Sequence, residues 1–192
     1  WDDHETANDS WIGGAENHSP DTEGDWNTRK ANALRAYYEW MPLREPAAGG
    51  LAEAINRSFR FGDVAELVMV ETRLLARSKQ LDYSEMPTRQ LDGKSVPDLA
   101  AFMAERADPS RQLLGDKQEQ WLAQTLQASV ANGCAWQILG NQVVMAQVKG
   151  PDLKAALPPA EWAAMLADLP EAFRPRIEQM AALFAQGVPF NL

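Results

Sequence analysis

Apolar residues recur at helical spacing in several stretches of the chain, and two short runs are apolar without a break. In "DWNTRKANALRAYYEWM" the positions Trp26, Leu34, Tyr37, Tyr38 and Met41 fall on or near one face, Asp25 stands at the N-cap, and Pro42 with "EPAAGG" ends the pattern. "PDLAAFMAER" predicts a short helix capped by Asp98 or Ser95, and "LLGDKQEQWLAQTLQASVANG" a longer one. In the longer helix Asp116 is the cap, Trp121, Leu122, Thr125 and Leu126 face inward, and Gly133 is the stop. "PPAEWAAMLADLP" and "EAFRPRIEQMAALFAQG" complete the helical set. "VAELVMV", bounded by Gly62, is a β-branched run suited to a buried strand with Glu71, Thr72 and Arg73 at its C-terminal edge. "AWQILGNQVVMAQV" predicts a second strand, interrupted at Gly140 and Asn141. Residues 1–24 and 76–97 lack a period and are expected to be loop. Strand, helix, strand in that order predicts an α/β layer arrangement, with a site loop over 1–24, a helix and strand core over 25–145, and a helical insertion over 146–192.

Composition adds bounds. The chain has 192 residues, 45% of them hydrophobic, enough for one substantial core. Its net charge of −9 disfavours a nucleic-acid or anionic-membrane surface, although a bound cation can invert the local field of an acidic site. A single cysteine, Cys134, excludes an internal disulfide and a thiolate zinc cluster, and is expected to be a buried thiol. No run approaches the ~18 apolar residues that span a bilayer. A chain that begins on Trp reads as processed, truncated or partial, so a targeting signal could stand upstream.

The candidate chemistry is concentrated in "WDDHETANDSW", where Asp2, Asp3, Glu5 and Asp9 surround His4 and Asn8. The zinc-protease pattern needs a second His four positions after the first, and here that position is Asn8. An EF-hand fails too, since its ligands alternate along a twelve-residue loop with Gly at the sixth position. Two readings remain open: a solvated acidic loop, or a loop in which Asp3, His4 and Asn8 meet a hard cation. In the second, the imidazole can protonate a departing alkoxide. Arg73 at a strand end suits phosphate oxygens or, equally, an ion pair with Glu71 or Asp63. His18 in "AENH" is either a supporting residue behind such a site or an ordinary hydrogen-bonded loop histidine, and "GNQ" at Gly140 is a strand bend.

In order and spacing, "WDDHETAND", "GAENH", "EGDWNTRKANALRAYYEWMPLR", "FRFGDVAELVMVETR", "LLGDKQEQWL" and "AWQILGNQVVM" resemble the PhoD-like alkaline phosphatase and phosphodiesterase family. The resemblance implies a four-layer α/β/β/α metallophosphatase sandwich that hydrolyses phosphate esters with calcium and iron, often in the periplasm or outside the cell. It implies that Asp3 is a metal ligand, that Asn8 offers an oxygen to calcium, that Asp2 is an outer ligand or orients His4, and that His4 contacts phosphate or protonates the leaving oxygen. Arg73 would bind substrate. Glu71 stands where the family block usually has Asp. Family blocks that carry a cysteine, a tyrosine and further ligands have no counterpart here. The chain is therefore expected to be the central part of the domain, with weak metal binding, negligible turnover alone, and exposed sheet edges that favour self-association or the remaining parts of the same domain. The competing expectation is a non-catalytic binding module that keeps the scaffold.

Overall fold

The computed structural model describes residues 1–82, 85–145 and 151–187, and two compact units, Trp1–Val144 and Met145–Leu192. The strand expected to resume after Gly140 and Asn141 does not form over 142–145, which are irregular; its continuation over 146–148, and residues 83 and 84 of the expected loop, lie outside the described residues.

In the first unit, Asp25 caps helix α2 (Trp26–Trp40), which follows a single-turn helix α1 (Pro20–Glu23); the Asp25 carboxylate accepts from the Thr28 N–H at 2.9 Å. Strands β1 (Arg57–Phe61) and β2 (Ala65–Met69) form an antiparallel hairpin, with Phe59 opposite Leu67. β1 is a strand the sequence pattern did not reveal, because "RSFRF" alternates weakly and four of its five residues are exposed. Helix α4 (Asp116–Ala131) then leads to β5 (Trp136–Gly140), which lies parallel to β2 with Leu67 opposite Ile138. The α/β arrangement expected from strand, helix, strand is the one observed.

The cap of α4 differs from expectation. Asp116 is the first helical residue, and Gly115 (φ 77°) precedes it. A Cβ on Gly115 would stand 2.8 Å from that of Ala76, so both the left-handed backbone and the close approach require glycine. β2 is central, and Val68, with Val70 just past its end, is buried on one of its faces. Gln137 donates to Ser129 of α4 at 3.2 Å, so that face of the sheet is covered. On the opposite face, Phe59, Phe61, Trp136 and Ile138 are all largely exposed.

Residues 76–97, expected to be loop, contain a hairpin: β3 (Thr88–Leu91) and β4 (Lys94–Pro97) pair antiparallel across Asp92 (φ 50°) and Gly93 (φ 73°). The Asp-Gly pair is a two-residue turn signal whose backbone twist matches that of flanking strands. The strands beside it are polar and exposed, so no hydrophobic alternation announced them. Asp98 caps helix α3 (Leu99–Arg106), its carboxylate accepting from Ala101 at 3.0 Å. Cys134 is buried, as expected.

The core of this unit gathers Trp1, Ala7, Ala15, Trp26, Leu34 and Leu74, with Tyr37, Tyr38 and Ile55 packed around it. Full burial of a side chain such as Leu34 or Leu74 contributes about 1.5–3 kcal/mol. The N-terminal loop thus rests on α2 through apolar contacts, and its polar residues are displayed on a packed floor.

In the second unit Asp152 caps α5 (Leu153–Ala156), followed by α6 (Pro159–Asp168) and α7 (Arg174–Ala185). The Arg174 guanidinium donates to Leu169 and Ala167 carbonyls at 3.0 and 2.8 Å, satisfying the open end of α6. Leu153, Trp162, Ile177 and Phe184 converge in its interior.

Candidate functional site

Trp1 fixes the start of the acidic loop. Its ring meets Tyr37 and Tyr38 edge-on at 4.7 and 5.9 Å, and its indole N–H donates to the Glu53 carbonyl at 2.9 Å. Ala7 and Ser10 are buried beneath the loop. Asn8 is held from three sides by the "AENH" block: its N–H donates to Asn17 Oδ1 at 3.0 Å, its C=O accepts from Glu16 N–H at 2.9 Å, and its Nδ2 donates to Glu16 Oε2. With the amide nitrogen engaged, the amide oxygen is the group left to meet a ligand.

The opposing wall follows β2. Glu71 is fully buried, and its carboxylate accepts from the N–H groups of Arg73, Leu74 and Leu75 at 2.8, 3.1 and 2.7 Å. That carboxylate folds the turn after the strand. It is not part of the cleft lining. The turn delivers Arg73 and Arg77, both with 6% of the side chain exposed, to the underside of the acidic loop. Arg73 reaches Asp2 at 3.3 Å, Asp3 at 2.8 Å and Asp9 at 2.5 Å, while Arg77 reaches Asp9 at 2.9 Å and the Ser10 carbonyl at 3.2 Å. Three carboxylates thus meet two guanidiniums, and the cluster keeps a net negative charge.

Above it lies a cleft of about 590 Å³, lined among others by Asp3, Asn8, Asp9, Glu16, His18 and Lys79. Lys79 is paired with Glu85 at 2.7 Å and sits 5.9 Å over the Trp11 ring. Asp3 Oδ1 is buried and has no hydrogen-bond partner, although it stands within ion-pair distance of Arg73. The Arg73 guanidinium at 2.8 Å offsets the cost of burying that oxygen, although the geometry is not that of a hydrogen bond. His18 is also buried, and its Nδ1 faces the Arg29 guanidinium at 3.2 Å. The same Nδ1 lies 3.6 Å from the Glu23 carboxylate, and Nε2 has no hydrogen-bond partner.

The residues expected from sequence therefore separate. Asp3 and Asn8 share the cleft; Asp2 is exposed at its edge against Arg73; His4 is exposed, outside the cleft lining; Arg73 lies behind the carboxylates. Two residues were not anticipated. Asp9 looked like one more acid in an acidic run, and Arg77 lay in a stretch expected to be irregular; the signal available was the spacing of four between Arg73 and Arg77 after a buried strand. Among the described residues, no group of three or more His, Cys, Asp or Glu stands close enough to hold a metal ion.

Residues 1–181 match the family model described as PhoD-like phosphatase. The chain is 32% identical over 148 residues to alkaline phosphatase D of Bacillus subtilis (strain 168), which covers 77% of this chain and 22% of that protein. A solved structure titled "Structure of PhoD" superposes with a TM-score of 0.55 at 29% identity, covering 78% of this chain and 25% of the other. The chain thus spans about a quarter of the length of the relatives it matches.

Proposed function

Because the chain belongs to the PhoD-like phosphatase family, we propose that its acidic cleft is one wall of the active site of a metal-dependent phosphoric ester hydrolase. The observation that carries the reading is Asp3 Oδ1, buried at the cleft and lacking a hydrogen bond. Together with the amide oxygen of Asn8 it offers a hard cation the oxygen donors it prefers, so these residues fit a metal such as calcium or ferric iron. A cation bound there would neutralise phosphoryl oxygens and lower the pKa of an attacking water.

The chain's own residues divide the remaining work. Asp3 and Asn8 hold the cation, and Asp2, exposed beside Arg73, orients the neighbouring groups. His4, which is exposed, hands a proton to the departing alkoxide. Arg73 was expected to bind substrate; its burial behind Asp2, Asp3 and Asp9 favours a role in holding those carboxylates. Ligands contributed from other parts of the domain would complete the site, leaving these 192 residues alone with low turnover; the competing reading is a non-catalytic binding module that keeps the scaffold. Export to the periplasm or beyond is proposed on family grounds, as is activity on diesters.

The test assays the full-length product of the coding sequence on nitrophenyl phosphate and bis(nitrophenyl) phosphate, with chelator and after readdition of calcium and iron. Hydrolysis that is lost on chelation and regained with metal supports the enzyme. Absence of hydrolysis of either ester at any metal loading favours the binding module.

A further inference from the structure

We propose that Asp9 is the positioning residue of this site: as common acceptor of the Arg73 and Arg77 guanidiniums, it decides how strongly Arg73 competes for Asp3. The inference rests on the reading of Asp3 as a metal ligand. Asp9 Oδ1 receives Arg73 Nη1 at 2.5 Å and Arg77 Nη1 at 2.9 Å. The same Arg73 Nη1 stands 2.8 Å from Asp3 Oδ1, yet that oxygen has no hydrogen bond. Arg73 Nη1 thus directs its hydrogen bond to Asp9 while it remains ion-paired with the Asp3 oxygen at 2.8 Å. Remove the charge of Asp9 and the nearest carboxylate for this guanidinium is Asp3.

The backbone supports the assignment. Asp9 has φ 44°, one of two non-glycine residues with positive φ among the described residues. Asp and Asn tolerate this left-handed conformation better than other side chains. The turn at Asp9 directs its carboxylate to the two guanidiniums, in the cleft that Asn8 and Asp9 both line. Arg77 secures the arrangement further, because Nη1 also donates to the Ser10 carbonyl, Nη2 donates to Gln80, and its own carbonyl accepts from Ile12 N–H at 3.1 Å. A guanidinium so engaged holds Asp9 at a fixed point. It therefore also fixes how far Arg73 leans towards Asp3.

Groups of this kind, one contact removed from a metal ligand, typically govern metal affinity by 10–100-fold. The experiment measures binding of terbium, a hard cation with a luminescence readout, to the full-length protein and to Asp9→Asn, Asp9→Gly and Arg77→Lys. Asn and Gly both accept the backbone conformation, so a purely conformational role leaves both variants with wild-type affinity. The proposal expects Asp9→Asn to bind terbium about 10–100-fold more weakly with an unchanged circular dichroism spectrum, and with a lowered melting temperature because two buried guanidiniums lose a charged acceptor. Its phosphatase rate should be restored by excess metal, and its KM for substrate at saturating metal should be unaltered. Arg77→Lys keeps a charge near Asp9 and should weaken binding less; it also serves as the working variant if Asp9→Asn does not fold. Terbium affinity in Asp9→Asn equal to wild type, or in Arg77→Lys where that variant stands in, overturns the proposal. Failure of the wild-type protein itself to bind terbium or to hydrolyse phosphate esters overturns instead the reading of the cleft on which it rests.

Discussion

Gln118 of α4 grips both backbone groups of Glu71: its Oε1 accepts from the Glu71 N–H at 2.7 Å, and its Nε2 donates to the Glu71 carbonyl at 2.8 Å. The amide thus serves as a neighbouring strand at the point where β2 ends. It ties the helix to the turn that presents Arg73 and Arg77. Gln118→Ala would leave a buried donor and a buried acceptor of Glu71 without partners. The expected cost is about 2–4 kcal/mol, read as a lower urea midpoint with an unchanged slope. A midpoint within error of wild type would mean that the turn holds itself.

Glu53 links the core to pH. Burial pushes its carboxyl up, but the hydrogen bond and charge of Lys30, 2.8 Å away, hold it on balance below its ordinary 4.5. A carboxylate lowered on folding stabilises the native state above its unfolded pKa, and that contribution is lost as pH falls through the lower folded value. Melting temperatures of wild type and Glu53→Gln should therefore differ at pH 7 and draw together as pH falls below 4.5 through the lower folded value. A gap that does not narrow on acidification would contradict the ion pair as its cause.

The hairpin of β3 and β4 turns on Asp92 and Gly93. Gly93→Ala places a Cβ at φ 73° and should cost about 1 kcal/mol, whereas Asp92→Asn, the other residue suited to this turn, should be neutral or slightly stabilising. Equal midpoints for both variants would argue against the two-residue turn.

What the sequence revealed depended on whether the signal was local. Asp25 and Asp98 caps, the helical period of α2 and the buried run of β2 are contained within a few residues, and all were legible. The PhoD-like resemblance read from ordered blocks is borne out by the family match over residues 1–181. β1 and the β3 and β4 hairpin were not legible as strands, since their residues are mostly exposed and carry no alternation. Within the site, the "WDDHETAND" loop stood out by composition. The guanidinium pair beneath it did not, because Asp9 meets Arg73 and Arg77 across 64 and 68 residues. Such a contact exists only once β2, α4 and the loop have packed.

His4 is exposed, so its replacement should leave stability alone. His4→Ala in the full-length protein is expected to retain metal and melting temperature while slowing hydrolysis of esters with poor leaving groups by about 10²–10⁴-fold, with little effect on nitrophenyl phosphate. An equal loss on both substrates would exclude proton donation to the leaving oxygen as its task.

The central claim, that the buried oxygen of Asp3 holds a cation needed for phosphate ester hydrolysis, is tested most directly by elemental analysis of the full-length protein beside its Asp3→Ala variant, with hydrolysis of nitrophenyl phosphate followed in the same samples. The account predicts that the variant stays folded, loses bound metal, and loses activity in proportion. Unchanged metal content together with an unchanged rate would contradict it.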